Sequence, residues 1–191
     1  MVVADALAKH SDLGSSDTFR AVFGDLTFSA TAGGGTRWGC ERSANPSGVA
    51  CTSGTQGLNP RLMAHELGHV FNAMYVNRIG ENNKPYNMLG TTTILDSAGN
   101  WITGLRYDPE EGGREWSRGY DGYRFNSDGI YYEPMLYHGP YVEGANSVGE
   151  EFADMFLNWA YNSYDSSDAG TARYNWMDQE VSRALSVMLN K

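Results

Sequence analysis

At 191 residues the chain is sized for one compact domain, 1–191, and falls short of two ordinary ones. Its 14 basic and 23 acidic residues leave a net charge of −9 with no Lys/Arg-rich run, which argues against nucleic acid and anionic membrane surfaces as partners. No stretch approaches the roughly 18 apolar residues of a membrane span, and "MVVADALAKH" lacks the charged start and long apolar core of a secretory signal, so a soluble chain without membrane insertion is expected, native or excised from a longer secreted protein.

Residues 3 to 24 are expected to be helical in one or two pieces, with Ser16 or Asp17 capping the second. "LTFSATA" alternates like a short strand. The Gly-rich segment 33 to 57 holds the two cysteines of the chain, Cys40 and Cys51, in a stretch that reads as loop or hairpin. A zinc knuckle needs more cysteines at shorter spacing. A disulfide closing this short loop is the preferred reading and implies an oxidising, extracytoplasmic compartment; two unpaired thiols are the alternative.

"NPRLMAHELGHVFNAMYVNRIG" is the clearest helix, with Asn59 as cap, Pro60 in the first turn and Gly80 just past the end. Met63, Leu67, Val70 and Met74 form one apolar stripe, and His65 and His69 lie about 160° from it. A histidine pair turned away from the main stripe suggests a cleft. From 81 to 146 the chain is rich in Gly, Asn, Asp and Tyr, with a hairpin expected in "TTTILDSAGNWITGL" and a strand in "GIYYEPML". Connecting structure of that length is expected to cover or edge a binding site, where Trp101 and Trp116 would wall the cleft or simply pack.

A second amphipathic helix is expected in "SVGEEFADMFLNWAYNSY", buried through Phe152, Met155, Phe156 and Trp159, with Glu150 and Asp154 four apart and nearly opposite Phe152. "DSSDAG" breaks the chain before a last helix from 172 to 189, buried through Met177, Val181, Ala184, Leu185 and Met188.

Histidines at i and i+4 stack one turn apart on a helix, so His65 and His69 can reach one tetrahedral zinc. Glu66, directly after the first, can serve as general base toward the water that the metal activates. The bland reading is a solvated His-Glu-His face. A catalytic zinc usually takes three protein ligands. The pattern HExxHxxGxxH is excluded, because Asn72 stands at its glycine and Tyr75 at its third histidine.

With "HELGH" and "EEFADMF" the chain resembles the gluzincins, the thermolysin-like zinc metallopeptidases, and more loosely the small Pro-Pro endopeptidases. The resemblance implies that Glu150 is the third ligand, that Asp154 hydrogen-bonds a zinc-bound histidine and orients it, and that the fold is an α+β, zincin-like single domain: an active-site HExxH helix beneath a small sheet, and a second ligand-bearing helix. Ser147 with Glu150 is also a capping box, the bland account of that glutamate. Glu151 is the reserve ligand and His138 a weaker one.

The same resemblance points to Tyr141 as donor to the oxyanion of the intermediate, with Tyr137 and His138 as alternatives. The expected activity is zinc-dependent hydrolysis of peptide or protein substrates. The rivals are an extracellular binding or adhesion module with a structural or vestigial zinc site, and a zinc hydrolase acting on something other than peptides. Calcium is left open by the acidic loops "DSAGN" and "NSDG", neither of which is a full calcium-binding loop.

Overall fold

The computed structural model describes residues 2–30, 39–44, 47–53, 60–78, 88, 94–95, 97–99, 101–103, 124–126, 129–131 and 147–189. Helices dominate them: α1 (Val2–Ala8), α2 (Ser15–Phe23), α3 (Pro60–Arg78), α4 (Ser147–Tyr161) and α5 (Asp168–Met188). Between α2 and α3 run β1 (Asp25–Ala30), β2 (Gly39–Ala44) and β3 (Ser47–Ser53); β4 (Ile94–Leu95), β5 (Trp101–Thr103), β6 (Arg124–Asn126) and β7 (Gly129–Tyr131) are short.

The first three strands form a mixed sheet in the order β1-β3-β2, with β1 parallel and β2 antiparallel to β3. The β2–β3 hairpin places Cys40 directly opposite Cys51. The expected hairpin over 91–105 is present as β4–β5, and "GIYYEPML" opens with β7, which pairs with β6, a strand that the sequence pattern did not suggest.

Local chemistry sets the helix ends. Pro60 opens α3, where its missing N–H costs nothing; Asn59 and Gly80 lie outside the described residues. Gly14, not Ser16 or Asp17, is the N-cap of α2, which starts at Ser15 because the bend before it is already tied by Ser11 and Leu13 to Thr18. Gly24 closes α2 at φ 72, a left-handed backbone that glycine adopts without strain, with its N–H on the Arg20 carbonyl at 2.8 Å. Helix α5 begins at Asp168, four residues before the expected 172, because Ser167 caps it by accepting from the Gly170 N–H at 3.1 Å.

The core runs through α3, α4 and α5. Phe23, Phe71, Phe156 and Trp159 form a chain of rings with neighbouring centroids 5.1 to 6.4 Å apart, and Trp176 of α5 meets Phe152 edge-on. Each such side chain removed from water contributes about 1.5–3 kcal/mol. Met177, Val181, Ala184, Leu185 and Met188 of α5 are buried as expected.

Helix α4 departs from the amphipathic reading: every residue from Glu151 to Trp159 is buried. Its polar side chains are compatible with this because each has a partner. Asp154 meets His65, Glu151 meets Arg173, and Asn158 donates to the Asp154 carbonyl at 2.8 Å while accepting from Ser163 at 2.9 Å. Among the described residues, no helix is long and apolar enough to cross a membrane.

Candidate metal centre

The site is built where α3 crosses α4. Gly68 faces Ala153 so closely that a Cβ on it would lie 2.9 Å from the Ala153 Cα and 3.0 Å from the Phe156 Cβ. Glycine inside a helix costs about 1 kcal/mol against alanine, and here it permits the approach of two backbones. His65 lies three residues before this contact and Asp154 directly after Ala153, so the close crossing brings the two side chains together.

His65 is fully buried, and its Nδ1 lies 2.7 Å from Oδ1 of Asp154, itself buried. A carboxylate accepts, so Nδ1 carries the proton and Nε2 offers a lone pair. That Nε2 lies 3.2 Å from Nε2 of His69, with the two rings nearly perpendicular at 84°. One proton shared between the imidazoles would satisfy this geometry, and so would one ion between them.

Two nitrogens bound tetrahedrally to zinc at about 2.0–2.1 Å stand roughly 3.3–3.4 Å apart, close to the spacing of this pair. The donor set also fits. The carboxylate behind His65 fixes its tautomer and raises its basicity, as it does for metal-bound histidines generally. Glu66, on the same turn, and His69 are half-buried, so this face is less enclosed than His65.

On the side of α3 away from the apolar stripe, α4 packs against His65. The stripe is buried at Leu67 and Val70 but only half-buried at Met63 and Met74, and α3 is packed on more than one side. Tyr75, at the place of a third histidine in the excluded pattern, is buried beneath the guanidinium of Arg183 and accepts a hydrogen bond from it. The hydrogen-bonded carboxylate of Glu180 holds the Arg183 pKa above the ordinary arginine value.

Among the described residues, no group of three or more His, Cys, Asp or Glu stands ready to hold an ion. Glu150 belongs to α4 one turn before Asp154, hence on the same helical face, but its side chain lies outside the described residues. Glu151, the reserve ligand, accepts from Arg173 Nη1 at 2.7 Å through Oε1. Tyr137, His138, Tyr141 and Trp116 lie outside the described residues. Of the loops considered for calcium, Ser97 donates to Asp168 at the start of α5, while Asp96 and Asp128 lie outside the described residues.

Two contributors escaped the sequence reading. Gly68 left a signal, since an isolated glycine inside a strong helical pattern often marks a close approach. Arg173 left none, because an arginine in a terminal helix ordinarily faces water.

No protein-family model, no curated protein and no solved structure matches the chain.

Proposed function

We propose that the chain is a zinc-dependent endopeptidase of gluzincin type, a zincin-like domain in which His65, His69 and Glu150 hold the metal. The observation that carries this reading is the arrangement on α3 and α4: two Nε2 atoms 3.2 Å apart, with a buried carboxylate fixing the tautomer of the inner ring. The "EEFADMF" resemblance supplies Glu150.

When bound, zinc serves as a Lewis acid that acidifies water and polarises a carbonyl. The residues do the rest. Asp154 keeps Nδ1 of His65 protonated, so that Nε2 is the donor. Glu66, one position from His65, takes the proton of the attacking water and returns it to the departing amine. Tyr141 donates to the oxygen that becomes negative when the carbonyl is attacked. A purely structural zinc site has no need of a base at Glu66, which favours hydrolysis over a binding module.

The test is cleavage of a random peptide library by the purified chain. Cleavage should stop with chelator and return with zinc. Glu66→Gln should retain zinc and lose turnover by at least about a hundredfold. Turnover that persists in that variant would reject the role of Glu66. Zinc bound without cleavage of peptides or other acyl substrates would put the binding module ahead.

A further inference from the structure

Asn72 of α3 takes no part in holding the metal, yet it shares the histidines' face of the helix. By helical periodicity it stands about 20° around the axis from His65 and about 60° from His69, one turn further along than His69. Gly68, which abuts α4, is about 40° away on its other side, so Asn72 occupies the seam between the packed side of α3 and the half-buried His69.

Its amide serves a distant segment. Oδ1 of Asn72 accepts from the Met88 N–H at 2.6 Å, across 16 residues of sequence, and Met88 is buried in the core. Asparagine is one of the weaker helix formers and commonly bonds its neighbouring backbone, whereas here it holds the backbone of another part of the chain. Further on, the chain is pinned again, where Ile94 is buried and Ser97 donates to Asp168 of α5. Residues i and i+3 of a helix have Cβ atoms about 5–6 Å apart, so with the reach of the amide the Met88 nitrogen stands within about 11 Å of the His69 Cβ. An extended peptide covers that distance in about three residues.

We propose that Asn72 is a positioning residue for substrate: by holding the Met88 backbone against α3 one turn beyond His69, it makes the end wall of the peptide cleft. A substrate residue about two or three positions from the cleaved bond meets that wall. This rests on the zinc endopeptidase reading given above. A contact so far from the reacting atoms is the same in ground and transition states, and its loss raises KM rather than lowering kcat.

The experiment compares wild type, Asn72→Leu and Asn72→Asp on a peptide from the library that the wild type cleaves, measuring kcat and KM, zinc affinity by chelator competition, and melting of the metal-free proteins. Leucine keeps the shape and removes the acceptor; aspartate keeps the acceptor oxygen. Asn72→Leu should raise KM by about tenfold or more, with kcat and zinc affinity within about twofold of wild type. Asn72→Asp should bring KM back to near the wild-type value. If Asn72→Leu does not fold, Asn72→Ser, whose hydroxyl is too short to reach Met88, carries the same expectation. A merely structural tie would lower the melting temperature or the active fraction and leave KM alone, and that result overturns the proposal. So does an Asn72→Asp variant whose KM is no better than that of Asn72→Leu. Wild-type protein that takes up no zinc or cleaves no peptide overturns the endopeptidase reading itself, and the cleft wall falls with it.

Discussion

Gly68→Ala adds one methyl group where α3 and α4 meet, and its consequences can be worked from distances. The new Cβ would stand 2.9 Å from the Ala153 Cα, 3.0 Å from the Phe156 Cβ and 3.2 Å from the Ala153 carbonyl oxygen. Carbon atoms rest at about 3.5–4.0 Å, so the helices must part locally by roughly 0.5–1 Å. Overpacking of this kind costs about 1–3 kcal/mol, against a gain of about 1 kcal/mol from alanine's better helix propensity. The net is a loss of about 0–2 kcal/mol, up to roughly 8 °C in melting temperature for a chain of this size.

The effect on the site should be larger than that on the fold. The His65–Asp154 bond of 2.7 Å spans the same crossing. Parting the helices by the same amount stretches it to roughly 3.2–3.7 Å, at or beyond the limit of a good hydrogen bond. Zinc affinity should then fall by about 10–100-fold, read by chelator competition, while the metal-free protein remains folded by circular dichroism. An unchanged melting temperature together with unchanged zinc affinity would refute the claim that this crossing sets the site.

Asp154→Asn keeps the shape of the side chain but removes the charge that His65 faces, and should weaken zinc by about 10–100-fold without unfolding the metal-free chain; chelator competition and a melting curve check this. Phe156→Ala empties the middle of the ring chain between Phe71 and Trp159 and should cost about 3–5 kcal/mol in urea unfolding. Cys40 and Cys51 face one another across β2 and β3, a register that brings Cα atoms to about 4.5–5.5 Å, within the range of a disulfide. Protein isolated from an oxidising compartment should therefore be 2 Da lighter by intact mass than after reduction, about two hydrogens; two thiols alkylated without reduction would reject the bridge.

The parts of the fold carried by strong local signals were legible in the sequence. Helix α3 announced itself through Pro60 and a sustained helical period, β1 through alternation, and α5 through Met177, Val181, Ala184 and Leu185. His65, His69 and Asp154 were legible as a spatial unit because i, i+4 spacing and a short motif specify them, and the structure brings all three together.

What the pattern misjudged was polarity inside the core. Phe152, Met155, Phe156 and Trp159 read as the buried side of α4, yet every residue from Glu151 to Trp159 is buried, with Arg173 as partner to Glu151 and the Asp154 carbonyl as partner to Asn158. Periodicity weighs a side chain by its own polarity and has no access to a partner 22 residues away, as Arg173 is for Glu151. The same blindness hid Arg173. The starts of α2 and α5 shifted for a more local reason, since several Ser and Asp residues compete as caps and only the tertiary setting chooses Ser167 or passes over Ser16.

The central claim is a zinc held by His65, His69 and Glu150, and elemental analysis of the purified chain beside Glu150→Ala tests it most directly. About one zinc per wild-type chain, with marked loss in the variant at equal purity, is the expected result. Zinc unaffected by the substitution would take the third position away from Glu150. A wild-type chain that holds no zinc, even after zinc is supplied, would contradict the account.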